Sequence, residues 1–182
     1  MFARESVREL NVVATMPGLY IFNDAVEDGL ATFDNGLRSI EDQKRLIAMA
    51  GQDARRPLLV AEVRNLVCGL VSFEAYEERL HRGEIAEIVI FVRRSFRSYG
   101  VGRQLMRAAQ AEAGRLGYRK LIGRVLSDNE DSLRLCKATE WRVVGVHERH
   151  ARHGSLLRDV TAVEYLLPAV SGSRVILPIS DG

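Results

Sequence analysis

Apolar positions recur along this chain in two periods, and the switches between them mark the elements. Leu58 to Val63 and Leu66 to Phe73 are short apolar runs separated only by Arg64-Asn65, which predicts a tight antiparallel hairpin. Ile85 to Val92 reads as the next strand. Behind it Val101, Leu105, Ala108, Ala109, Ala113 and Leu116 recur at helical spacing until Gly117, so a helix is expected over Val101 to Leu116. Leu121 to Leu126 reads as a strand. Asn129 starts a short helix, Glu130 to Ala138, with carboxylates in its first turn. Trp141 to Val146 and Arg158 to Leu166 form a strand pair around the turn-prone His153-Gly154-Ser155. Ahead of the hairpin, a helix from Leu10 to Asp28 is expected to break near Pro17-Gly18, and a second runs from Ile40 to Ala50 after Ser39. A first strand near Phe2 to Val7 is poorly marked.

Composition narrows the class without naming it. A chain of 182 residues suits one domain with a real core, expected over residues 1–167, followed by a Ser-, Gly- and Pro-rich tail over 168–182. That tail is expected to lie loose or to dock on a neighbouring subunit. A net charge of +2 from 26 basic and 24 acidic side chains gives no global field for nucleic acid or a membrane. Cys68 and Cys136 have no metal-ligand spacing, so no metal is expected and reduced thiols in a cytoplasmic protein are. The start carries no long apolar run, and no stretch approaches the length of a membrane span.

The chemistry concentrates where the strand ending at Val92 meets the helix starting at Val101. Between them lies Arg97-Ser98-Tyr99-Gly100-Val101-Gly102, so several backbone N–H groups stand unpaired at the positive end of a helix dipole. That arrangement binds anions, and a pyrophosphate fits it. A dinucleotide fingerprint would need glycine where Leu105 stands. A Walker loop would need Gly-Lys-Ser/Thr where Gly102-Arg103-Gln104 stands, so both nucleotide readings fail.

The remaining pattern, R-x-x-G-x-G between a buried strand and an amphipathic helix, resembles the acetyl-CoA pyrophosphate loop of the Gcn5-related N-acetyltransferases, the GNAT superfamily. The order of elements is also that of the superfamily, over roughly Ile21 to Leu167. Within it the chain is most similar to the phosphinothricin acetyltransferase group. The similar segments are Ile21-Phe22-Asn23-Asp24-Ala25-Val26, Ala31-Thr32-Phe33-Asp34, Leu58-Leu59-Val60-Ala61-Glu62, Asp128-Asn129 with Ser132-Leu133-Arg134-Leu135, and His153-Gly154 followed by Arg158-Asp159-Val160. The resemblance implies an α/β (α+β) fold with a central, mainly antiparallel mixed sheet, flanked by helices and splayed at the cofactor strand. It implies acetyl transfer from acetyl-CoA to the primary amine of a small amino acid or analogue, by a homodimer. Alternatives within the resemblance are a protein or peptide N-acetyltransferase and a non-catalytic acyl-CoA-binding module.

Site residues follow from the same resemblance. The group's catalytic glutamate falls on Glu87, followed by five apolar residues; alternation gives Glu87, Val89 and Phe91 one face of the strand and Ile88, Ile90 and Val92 the other. Glu87 is expected at the strand's open end or in a partly buried cleft, where desolvation would raise its basicity; otherwise it is a strand-end residue in water or paired with an arginine. Main-chain groups of Ile90, Phe91 and Val92 would hold the pantetheine arm. The amides of Ser98, Tyr99, Gly100, Val101, Gly102 and Arg103, with charge from Arg97, would hold the phosphates. Asn129 would bond the pantetheine arm or only cap its helix. Cys136 stands where the group has a histidine, leaving the general acid unassigned, and Glu140-Trp141 replaces a glycine-phenylalanine pair, so a different turn is expected. Glu74 to Glu84 replaces a substrate-recognition segment. Its acids Glu74, Glu77 and Glu78 fit a more cationic substrate or a solvated loop. The apolar Val175-Ile176-Leu177-Pro178-Ile179 patch is the expected dimer contact.

Overall fold

The computed structural model describes residues 6–9, 15–29, 39–50, 53–76, 83–153 and 155–168. Its strands are β1 (Ser6–Glu9), β2 (Leu58–Val63), β3 (Leu66–Ala75), β4 (Ile85–Val92), β5 (Lys120–Leu126), β6 (Arg142–His153) and β7 (Leu156–Leu166). Its helices are α1 (Thr15–Asp28), α2 (Ile40–Ala50), α3 (Val101–Arg115) and α4 (Glu130–Ala138). The strands form one seven-stranded sheet in the order β1-β2-β3-β4-β5-β7-β6. Every neighbouring pair is antiparallel except β4 and β5. The mainly antiparallel mixed sheet expected from the sequence is therefore present.

Several elements match the hydrophobic pattern for identifiable reasons. Arg64 and Asn65 both take positive φ, 51° and 65°, the geometry that lets a two-residue turn follow the strand twist. Ser39 and Asp42 bond reciprocally at the start of α2, with Asp42 N donating to Ser39 Oγ at 3.2 Å and Ser39 N to Asp42 Oδ2 at 3.1 Å. Helix α3 buries Val101, Leu105, Met106, Ala109 and Ala113 against the sheet. Across the sheet, Ile21, Phe22, Ala25 and Val26 of α1 pack on Val60, Leu70 and Phe91.

Other expectations change. The predicted break at Pro17-Gly18 does not occur: both residues lie in the first turn of α1, where a missing N–H removes no intrahelical bond. The first strand is Ser6–Glu9, later than expected. Both final strands outrun their apolar pattern. β6 continues through His147, Glu148, Arg149 and His150 to His153, past a register shift between His147 and Ala151. β7 pairs with β5 only over Val160–Leu166, so the rest of the β6–β7 hairpin is a two-stranded arm whose β6 side chains from His147 to Arg152 are exposed except Ala151, too little burial to enforce alternation. The segments at 31–34 and 77–82, and the patch at 175–179, lie outside the described residues.

The ends of α3 and α4 are the same motif built twice. Tyr118 N donates to Ala113 O at 2.9 Å and Gly117 N to Gly114 O at 3.2 Å, with Gly117 at φ 78°. Trp141 N donates to Cys136 O at 2.9 Å and Glu140 N to Lys137 O at 3.3 Å, with Glu140 at φ 67°. Both are Schellman closures, so the turn at Glu140-Trp141 keeps the left-handed geometry glycine favours rather than adopting a different one. A Cβ in that conformation costs about 1 kcal/mol. Glu140→Gly should therefore raise the melting temperature by roughly 2–4 °C for a domain of this size, with no loss of cooperativity in a thermal melt. An unchanged or lower midpoint would show that the left-handed residue is unstrained.

Candidate functional site

The site is defined by a seam that stops early. β4 and β5 pair over only Ile85↔Lys120, Ala86↔Leu121 and Glu87↔Ile122, after which β4 continues to Val92 beside β3 and β5 continues to Leu126 beside β7. The two strands part immediately after Glu87, so the edge of β4 facing β5 runs on with no ladder partner. Backbone alternation decides which residues line it. Arg93 N donates to Cys68 O at 2.8 Å, so the hydrogen-bonding groups of Phe91 are turned to Leu70 of β3, and those of Ile90 and Val92 toward the gap. Phe91 is thus a correction to the expected backbone set. Its ring meets Phe22 edge-on at 5.4 Å and belongs to the core under α1.

At the open end of the gap, a 3-10 turn over Arg94–Phe96 leads into Arg97-Ser98-Tyr99-Gly100 and then α3. Ser98 at φ 65° and Gly100 at φ 89° both adopt the left-handed conformation, bending the main chain into a concavity ahead of the helix. Gln104 N makes the first intrahelical bond, to Gly100 O at 3.1 Å, which leaves the N–H groups of Val101, Gly102 and Arg103 at the mouth without an intrahelical acceptor. The two glycines serve different ends. Gly100 is required by its φ, since a Cβ there would meet nothing within 4 Å. At Gly102 a Cβ would lie 3.0 Å from Leu135 of α4, so this glycine lets α3, α4 and Val92 of β4 close together.

Glu87 stands at the closed end of the gap. Its side chain faces the α1 side of the sheet with Val89 and Phe91, as alternation predicts, while Ile88, Ile90 and Val92 pack with the core under α3. Its carboxylate is not left to desolvation: Arg124 of β5 holds it with both nitrogens of a fork, Nε to Oε1 at 2.6 Å and Nη2 to Oε2 at 2.8 Å. Of the environments foreseen for this residue, pairing with an arginine is the one present. The hydrogen bond that Arg124 donates to Glu87 is the main reason the Arg124 guanidinium is held above its ordinary pKa; partial burial opposes it, and the charges of Glu74 and Tyr76 add to it. Glu74 lies directly opposite Glu87 across the β3–β4 ladder. Arg124 was missed from the sequence. The usable signal was a lone cation inside Leu121 to Leu126, on the same strand face as Ile122, the residue that pairs with Glu87.

Three further residues take roles that differ from the simplest reading. Arg97 donates from Nε to Val92 O at 3.1 Å, and its Nη1 lies 2.5 Å from Asp28 Oδ2, while Arg94 also bonds Asp28. Burial by itself would raise the Asp28 pKa, but the two guanidiniums more than offset it and hold the carboxyl below its usual value. Arg97 therefore ties the end of α1 to the loop. Asn129 caps α4, accepting from Ser132 N at 3.0 Å. Cys136 is buried in the core with Leu121 and Trp141, and burial pushes its thiol up to about 11, which makes it a structural side chain and a poor proton donor. Among the described residues no group of His, Cys, Asp and Glu is arranged to hold a metal, and no helix is long and apolar enough to cross a membrane.

Comparison with known proteins identifies the family and the fold. The model of the acetyltransferase (GNAT) family matches residues 23–141. The chain is similar to the Bacillus subtilis (strain 168) protein named "Putative phosphinothricin acetyltransferase YwnH", with 33% identity over 116 residues, 63% of this chain and 70% of that one. The structure of an N-acetyltransferase from Staphylococcus aureus Mu50 superposes with a TM-score of 0.86 at 22% identity, covering 91% of this chain and 100% of that one. A GNAT superfamily phosphinothricin acetyltransferase from Sinorhizobium meliloti, solved in complex with acetyl-CoA, superposes with a TM-score of 0.81 at 18% identity, covering 91% and 89%.

Proposed function

The chain belongs to the acetyltransferase (GNAT) family and is an acetyl-CoA-dependent acetyltransferase, and on that premise we propose that it acetylates the primary amine of a small amino acid or analogue with Glu87 as general base. The observation that carries this reading is the parting of β4 and β5 directly after Glu87. It leaves a carboxylate at the closed end of a cleft, open backbone along one wall and a helix N-terminus at its mouth.

Each part answers a requirement of amide formation from a thioester. Acetyl-CoA supplies the acyl group and the departing thiolate. Ile90 and Val92 offer an unladdered strand edge to the amides of its pantetheine arm, a form of strand addition. The N–H groups from Ser98 to Arg103 and the dipole of α3 suit the pyrophosphate, with the nearby arginines raising the local potential. Asn129 lies at the start of α4 and can serve the arm while it caps. An ammonium at the closed end gives a proton to the Glu87 carboxylate, directly or through water; the freed nitrogen then attacks the carbonyl carbon and loses its second proton to solvent as the amide forms, the carbon–sulfur bond breaks, and the thiolate takes a proton from solvent. A cytoplasmic location accords with the two free thiols, Cys68 and Cys136. A homodimer is part of the same proposal. β6 is an edge strand on which Val143, Val144 and Val146 are more than half exposed, and such a surface is covered when a second copy docks.

Three measurements test these assignments. At Gly100 there is room for a side chain, and the strain that its left-handed backbone imposes falls on Asn and Asp alike. Gly100→Asp should weaken acetyl-CoA binding by roughly tenfold or more in calorimetry while Gly100→Asn does much less, because only the former sets a negative charge where phosphate would lie. Equal affinities in the two variants would remove the loop from the cofactor site. Glu87→Gln should keep acetyl-CoA affinity and lower kcat about 100- to 10,000-fold near neutral pH, with a smaller loss at higher pH; near-normal kcat throughout would move the base elsewhere. Sedimentation at micromolar concentration should give twice the 20.4 kDa protomer mass, and a purely monomeric boundary would end the dimer claim.

A further inference from the structure

A general base that is already clamped needs something to release it. Both oxygens of Glu87 accept from Arg124, so neither is aimed at an incoming ammonium. The pair is lopsided: the Glu87 side chain is 9% exposed and that of Arg124 is 47% exposed, so the guanidinium presents itself to solvent and the carboxylate does not. Glu74 sits opposite Glu87 on β3, so two carboxylates share this end of the cleft, and the Arg124 guanidinium feels the charge of both.

We infer that Arg124 selects the acceptor: it takes the anionic group of an acceptor carrying both a carboxylate and an amine, and the exchange turns Glu87 toward the ammonium. This rests on the reading of Glu87 as the base. The charges balance only for such a molecule. A simple amine would leave Arg124 gripping Glu87 and would compete with a guanidinium for the carboxylate. A simple anion would take Arg124 and leave Glu87 buried without a cation, beside Glu74. A zwitterion replaces one ion pair by two: carboxylate on Arg124, and ammonium between Glu87 and Glu74. The planar fork that now holds Glu87 matches the carboxylate of an amino acid equally well, and a phosphinate oxygen pair has similar geometry. Selection and activation are then one event, since the base is released by the group that identifies the acceptor.

The test uses one matched pair of acceptors, the best amino-acid acceptor from a screen and its carboxamide, assayed with wild type, Arg124→Gln, Arg124→Lys and Glu87→Gln. Wild type should prefer the acid by roughly 10- to 100-fold in kcat/KM, the worth of one charge-assisted pair. Arg124→Gln should raise KM for the acid and bring the ratio toward one, while the amide is turned over faster than by wild type, because its ammonium no longer competes with a guanidinium for Glu87. Arg124→Lys should restore part of the preference, because it keeps the charge and loses the fork. Thermal melts and acetyl-CoA affinity for each variant identify any that lose activity through misfolding, and the Lys variant keeps the question open to an answer if the Gln variant does. Equal loss on acid and amide in Arg124→Gln, or a wild-type preference for the amide, would overturn the inference. Glu87→Gln reports separately: unchanged kcat on both acceptors would refute the base, whatever the Arg124 ratio does.

Discussion

Everything at the candidate site depends on a parallel seam three residue pairs long. A full ladder between β4 and β5 would satisfy every backbone group and leave a closed sheet with no cleft. Instead each strand stays with its antiparallel partner. β4 follows β3 to Val92, β5 follows β7 to Leu126, and the right-handed twist of each block carries the two apart beyond Glu87 and Ile122. The core keeps the wedge open. One cluster under α3 spans the seam through Ile88, Leu121 and Val163, while separate clusters form under α1, at Phe22 and Phe91, and under the outer hairpin, at Leu126, Ala151 and Val160. α3 starts where the wedge is widest because Gly102 lets it settle against Leu135 and Val92. The N-terminal end of the helix is thereby fixed at the mouth of the cleft.

Arginines distribute the charge around this frame more than they add to it. Asp28, at the end of α1, is held by Arg94 and Arg97, and Arg158 of β7 reaches both Asp128 and the carbonyl of Gly29. The end of α1, the cofactor-side loop and the start of α4 are thus pinned to one another around the cleft. Arg97 is the informative case. Its position in an R-x-x-G-x-G motif suggests a phosphate contact, yet its side chain lies across Val92 O and Asp28, where it stiffens the loop whose amides are proposed to hold the phosphates. Glu164 of β7 makes a comparable node with Lys120 and Arg142 of the two strands that flank it, β5 and β6; the Lys120 hydrogen bond, foremost among its contacts, holds its carboxyl below the ordinary range against the cost of burial.

The sequence revealed what periodicity controls and hid what topology controls. β4 and the start of α3 could be bounded because an unbroken apolar run meets a loop of arginine and glycine and then a clear helical repeat. The same logic under-read β6, whose outer half from His147 to His153 belongs to an arm in which Ala151 is buried and its described neighbours from His147 to Arg152 are exposed. Glu87 could be singled out only through its motif, and its partner could not be found at all, since Arg124 is 37 residues away and meets it across a seam that no local pattern specifies. Phe91 could be assigned to the right strand face but not to the correct backbone edge, because the direction of its N–H follows from which neighbour β3 presents. Glu140 reads as a departure from glycine, and only the φ of 67° reveals that the turn geometry is kept while the residue changes.

The central claim is that the unladdered edge of β4 and the start of α3 together receive acetyl-CoA. Residue-resolved amide exchange with and without acetyl-CoA tests it most directly, because the edge groups and the loop groups are backbone N–H groups that exchange with water unless something bonds them. The account predicts slowed exchange at Ile90, Val92 and the amides from Ser98 to Arg103, and little change at Phe91, which β3 already protects. Protection that spared Ile90 and Val92, or that fell instead on the outer β6–β7 arm, would contradict it.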